Sequence, residues 1–252
     1  MARPESPIGE SVLRSGAADP AGADSGFASG MLEDPGYRAA IVDLLGVLAY
    51  GQLVAFERLA EDAKLAPTLE DKAALAAMAT AEFHHYERLR DRLVELDMFP
   101  AEAMRPFVAP VGNFHAHTAP ADWLESLVKA YVGDGIATDF YREVAGHVDE
   151  VTRRLILDVL AENGHAAFAV ARVRAAIAAD VRVAGRLALW GRRLMGEALS
   201  QAQRVAADRN ALSALLVGGM NRMGLDLAEI GHMFARITEA HVRRMAALGL
   251  SS

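Results

Sequence analysis

From Pro35 onward, apolar residues recur three and four positions apart through most of the chain. That spacing puts them on one face of an α-helix. Residues 39–56 are apolar almost throughout, with Asp43 and Gln52 as interruptions, and read as a helix buried on nearly every side. No stretch alternates apolar and polar residues at the period of two that a half-buried strand requires. The pattern predicts an all-α chain.

Local stop and start signals divide it. A first helix is expected over residues 36–65, ending at "APTLED". Thr68 there can cap a second helix running to about Leu96, with Asp71 as the acidic third residue. "MFPAEAMRPFVAPVGNFHAHTAP" follows, with four prolines, and cannot be one regular helix. A third helix is predicted over residues 121–147. A fourth is capped by Asp149 and runs to about Ala179, and a fifth covers residues 182–209. The glycine-containing "VGGMNRMG" precedes a last helix over residues 225–248. Residues 1–29, rich in Gly, Ala, Ser, Pro and Asp, predict a disordered tail before a domain covering residues 30–252. Two helical hairpins joined by a long crossover, with further C-terminal helices, are the layout of a ferritin-like four-helix bundle.

Composition narrows the chemistry. The chain has 252 residues and no cysteine, which excludes disulfides, thiolate metal sites and cysteine nucleophiles. A net charge of -7 argues against a protein that coats nucleic acid. The N-terminus lacks the basic-then-apolar layout of a signal peptide, and the apolar run suits a buried helix better than a membrane span. A cytoplasmic protein with no membrane partner is expected.

One motif carries chemistry. "TAEFHHYERL" places Glu82 and His85 a turn apart on one helical face, where both reach one metal ion. Seventeen glutamates and eight histidines give about half an E-x-x-H match by chance, and the chain has three: Glu82/His85, Glu162/His165 and Glu229/His232. Spacing separates them. Glu57 precedes Glu82 by 25 residues and Asp134 precedes Glu162 by 28, so each hairpin supplies a carboxylate, a turn, then E-x-x-H. A dinuclear carboxylate centre needs that arrangement, which makes Glu57, Glu82, His85, Asp134, Glu162 and His165 the expected metal ligands. Glu61 and Asp139 are the register alternatives, and Glu197 with Glu229/His232 is a rival pattern. Gly133, Gly135 and Gly164 would make room for metal, oxygen or substrate. His84 points away as a bystander. Tyr86, Tyr131 and Tyr141 are packing residues or hydrogen-bond donors, and "HAH", His115 to His117, lacks clustered partners. Six arginines between Arg172 and Arg193 face one acid, Asp180, and form a solvated face or a strip contacting RNA phosphates.

The fragments "FERLAEDA", "AEFHHYERL", "YVGDGIATDFY" and "VLAENGHAAF" resemble the four metal-bearing helices of the tRNA 2-methylthio-N6-isopentenyladenosine hydroxylases, ferritin-like nonhaem diiron monooxygenases. The resemblance implies two iron ions (or manganese), O2 as co-substrate, an electron-donor protein, and hydroxylation of the isopentenyl group of a modified tRNA adenosine. Asp134 falls where that family uses a glutamate. A ferroxidase, a diiron oxygenase of a small metabolite and a metal-free interaction protein remain open, as do monomer and homodimer.

Overall fold

The computed structural model describes residues 30–161, 165–217 and 225–252, the side chain of His165 excepted. All the elements it describes are helical. Helix α1 spans Pro35–Asp62. Asp34 starts it by accepting the amides of Gly36 and Tyr37 at 2.8 and 3.0 Å, and Pro35 fills a first-turn position that needs no N–H. A 3₁₀ turn over Ala63–Leu65 ends it. Helix α2, Leu69–Glu95, is capped by Thr68, whose hydroxyl oxygen accepts the Asp71 amide at 3.1 Å. Both boundaries match the sequence signals.

The proline-rich crossover folds as α3 (Pro100–Met104), a 3₁₀ turn (Arg105–Phe107) and α4 (Val108–His117). Helix α5, Trp123–Ala145, is capped by Asp122. Asp149 caps α6 through the Thr152 amide at 2.9 Å. The expected fourth helix is not continuous. Helix α6 covers only Glu150–Val159, and α7 begins at His165 and runs to Ala179. Leu160 and Ala161, directly after α6, are no longer helical. Helix α8 spans Arg182–Asp208, and α9, Asn210–Val217, is a helix that the pattern did not predict. Helix α10, Leu227–Leu248, ends at Gly249, whose φ of 79° suits a residue without Cβ. Residues 1–29 lie outside those described.

The α1–α2 hairpin packs against α9 and α3, while α5 packs against α8, α10, α7 and α6. The apolar faces form two core clusters rather than one. Ile41, Leu44, Leu45, Leu89, Leu93 and Ile156 build the first. Leu75, Leu127, Val132, Val173, Leu187 and Leu194 build the second. Tyr37 pins the first: its hydroxyl donates to Asp149 Oδ2 at 2.9 Å and accepts the Asp149 amide at 2.7 Å. Trp190 pins the second, its indole donating to the Glu125 carbonyl at 2.9 Å. Asp43, buried on α1, receives Arg209 from the end of α8 through two guanidinium hydrogen bonds. The segment Pro35–Leu65 is long and apolar enough to cross a membrane, but most of its most apolar stretch is buried inside the protein.

Candidate active site

Between the two clusters, α1, α2 and α5 turn smaller or polar residues toward each other. A cavity of about 620 Å³ opens there, within the range of small-molecule sites. Gly51, Gln52 and Ala55 line it from α1, Glu82 and His85 from α2, and Gly133, Asp134 and Gly135 from α5. Leu44, Leu48, Val144, Leu216 and Phe234 extend it as a long apolar wall.

Glu82 and His85 lie on one face of α2, with His85 Nδ1 3.5 Å from Glu82 Oε2. That contact is too long for a strong hydrogen bond. Glu82 is only 8% exposed. Asp134 stands across the cavity, and its carboxyl is pushed up to about 7. Removal from bulk water is the main cause, followed by the charge of Glu82, and both outweigh the opposing pull of His85, Arg244 and Arg142. Asp134 has substantial accessible surface, but it lines the cavity. Its carboxyl is desolvated although water can touch it.

Three of the six expected ligands, Glu82, His85 and Asp134, therefore share this cavity. Glu57 does not. It is exposed on α1 outside the wall, where its charge acts on the Tyr50 hydroxyl. Glu162 and the side chain of His165 lie outside the described residues, as does Gly164. Among the described residues, no three His, Asp or Glu side chains converge closely enough to hold a metal. The chemistry of the described half nevertheless suits one. Carboxylate and imidazole donors face a desolvated carboxylate whose repulsion with Glu82 a cation would relieve.

The alternatives have other work. Glu229 reaches back to the Asp226 amide at 2.9 Å and Asp226 accepts the Glu229 amide at 2.8 Å, a capping box for α10. His232 is exposed. Glu197 accepts from His117 and Gln201 at 2.8 and 2.6 Å, which lowers its carboxyl below the usual range. Glu61 pairs with Arg58 at the surface. Asp139 lines the cavity and pairs with Arg244 at 2.7 Å. His84 is exposed while His85 lines the cavity. Tyr131 and Tyr141 also line it, and burial raises the Tyr141 hydroxyl above its usual range. Tyr86 packs against Phe83, with the rings tilted at 43°.

Sequence reasoning missed Arg58, Asp62, Lys129 and Arg244 on the wall, and it set aside His115, which lines the wall as well. Arg244 lies directly over Gly135 of α5, where the missing Cβ leaves space for it. A Cβ there would stand 2.5 Å from Arg244 Cδ and Nε. Gly135 makes room for an arginine while also lining the cavity. No local pattern signals this, because the partners are a hundred residues apart.

The arginines from Arg172 to Arg193 are largely engaged within the chain. Arg172 pairs with buried Asp71 at 2.6 Å, and Arg186 pairs with Asp122 at 2.7 Å and with Glu125. Arg182 pairs with Asp180, and Arg192 and Arg193 donate to the carbonyls of Ser251 and His117.

Long antiparallel helices, a crossover with short helices of its own and a polar, cavity-lining middle define an all-α, ferritin-like bundle. The chain belongs to the actinomycete ferritin-like domain family, whose model matches residues 35–219. No curated protein matches it significantly.

Proposed function

We propose that this is a ferritin-like nonhaem diiron oxygenase that hydroxylates an apolar group held in the central cavity. One observation carries the reading. Glu82, His85 and Asp134 face the same 620 Å³ space, whose remaining wall is mainly apolar. Glu82, His85 and Asp134, with Glu162 and His165 of the second motif, would hold the metal. Bound iron would supply activation of O2 toward an unactivated carbon. The chain's own tasks are binding, orientation and exclusion of water. Leu44, Leu48 and Phe234 offer an apolar surface to substrate. Arg244, held by Asp139, brings its guanidinium charge near Asp134 and favours the ionised, donor form of that carboxyl.

The resemblance implies the isopentenyl group of a modified tRNA adenosine as substrate. A free apolar metabolite is favoured by the engaged arginines, which leave little of the basic strip for phosphates. An electron-donor protein would serve either substrate. A ferroxidase would use the same donors without needing the apolar wall. A cytoplasmic setting suits all of these readings.

The test is metal analysis of protein produced with iron supplied, comparing wild type with Glu82→Ala, Asp134→Ala and Glu162→Ala. Wild type is expected to carry iron and each variant to lose most of it. Full occupancy in all three variants would overturn the site. Modified-nucleoside profiling of a deletion strain then separates tRNA from a free metabolite.

A further inference from the structure

A second group of charged residues lines one end of the cavity, five residues before Asp134 on α5, or about one and a half helical turns. Arg58 and Asp62 of α1, His115 of α4 and Lys129 of α5 meet there and line its wall. Lys129 is 7% exposed, and its ammonium donates to the Thr118 carbonyl at 2.7 Å. An ammonium has three donors, so two remain beside the Thr118 bond, and the same ammonium lies 5.8 Å from the centre of the Phe114 ring. Burial pushes Lys129 down to about 8, Asp62 opposes this, and Arg58 adds to it. His115 is held neutral, pushed down to about 3 by burial and then by Lys129 and Arg58. Among the described residues its buried Nδ1 has no hydrogen-bond partner.

Formal charges on this part of the wall are Arg58 and Lys129 against Asp62, leaving one positive. Glu61 takes one guanidinium nitrogen of Arg58 from outside, at 2.6 Å. From Lys129 the cavity follows α5 past Asp134 to Val144. Fifteen residues of helix rise about 22 Å. The shape is a long apolar slot with a cationic, donor-rich end.

We propose that the Arg58–His115–Lys129 end seats the carboxylate of an elongated aliphatic acid, whose chain runs along α5 past Glu82 and Asp134. A carboxylate accepts hydrogen bonds only, carries one negative charge and has room for several donors. It therefore satisfies the Lys129 donors together with the Nδ1–H of neutral His115 in that tautomer. The proposal deepens the oxygenase reading and rests on it for the reaction, though not for the binding. The head group would fix which carbon of the chain lies beside Glu82 and Asp134.

The test is calorimetric titration of the full chain with laurate, dodecanol and dodecylamine, on wild type and Lys129→Gln. Glutamine retains a donor for the Thr118 carbonyl and removes the charge. Laurate is expected to bind one per chain and more tightly than dodecanol. Lys129→Gln should weaken laurate about tenfold or more and leave dodecanol unchanged. Tighter binding of dodecylamine would overturn the proposal and assign this end to Asp62. Equal laurate affinity in both proteins would overturn it as well. If Lys129→Gln does not fold, Arg58→Gln, at a partly exposed position, carries the same comparison. Iron content measured on the same samples separates the two readings. Laurate binding without iron leaves the carboxylate seat and removes the oxygenase, and iron without laurate binding does the reverse.

Discussion

Two glycines five residues apart on α1 should respond oppositely to the same substitution. Gly51 lines the cavity, and a Cβ built on it meets nothing within 4 Å. Gly51→Ala is left with the propensity gain of alanine over glycine in a helix interior, about 0.5–1 kcal/mol. Gly46 packs under the crossover. A Cβ there would overlap the Ala103 carbonyl oxygen, stand 2.8 Å from its carbon and 3.3 Å from Phe107 Cε2. Phe107 is fully buried, and the clash is with backbone, so α3 as a whole must move. Overpacking of this kind costs about 1–3 kcal/mol. With the clash on backbone the upper half applies, and the propensity gain leaves a net loss of about 1–2 kcal/mol. Thermal unfolding should show Gly51→Ala up to about 4 °C above wild type and Gly46→Ala several degrees below, since 1 kcal/mol shifts the midpoint by about 2–4 °C at this size. Equal midpoints for the two variants would refute the packing of α3 on α1.

Other consequences follow from particular side chains. Asp134 titrates near 7 in the fold against an ordinary 3.8, so the folded chain holds that proton more tightly. Its contribution is complete below about 4 and is lost as pH rises through 7. In metal-free protein, Asp134→Asn should flatten the decline in denaturant stability across that window, and an unchanged slope would count against the desolvated carboxyl. Asp226→Ala removes the cap of α10 and should cost about 1 kcal/mol. Glu229→Ala should leave bound iron unchanged, and loss of iron there would revive the rival motif. Asp43→Asn breaks the pair with Arg209. Because that guanidinium can still reach water, the cost should be about 1–2 kcal/mol by urea denaturation.

Helix starts were legible because capping is local. Asp149 and Thr68 each accept a backbone amide three residues on, and both were recognised from residue type and position. The preference for His85 over His84 was equally local, since adjacent helical positions point about 100° apart. Glu57 shows where that reasoning stops. Its 25-residue interval to Glu82 fixes the sequence separation but not the rotation of α1 about its own axis, and α1 turns Gln52, Arg58 and Asp62 to the cavity instead. The break between α6 and α7 and the short α9 were also missed. There the helical period continues in the sequence while the chain does not.

What the sequence determined by itself was the helical class, the hairpin–crossover–hairpin order and the E-x-x-H pair on α2, all set by contacts within a few residues. The tertiary structure alone decided which carboxylates share a space, that Gly135 admits Arg244, and that Lys129, His115 and Asp62 meet at one end of the cavity. Those outcomes depend on how whole helices rotate and slide as two core clusters close around the middle of the bundle. That packing is a sum over many distant contacts, and no local spacing encodes it.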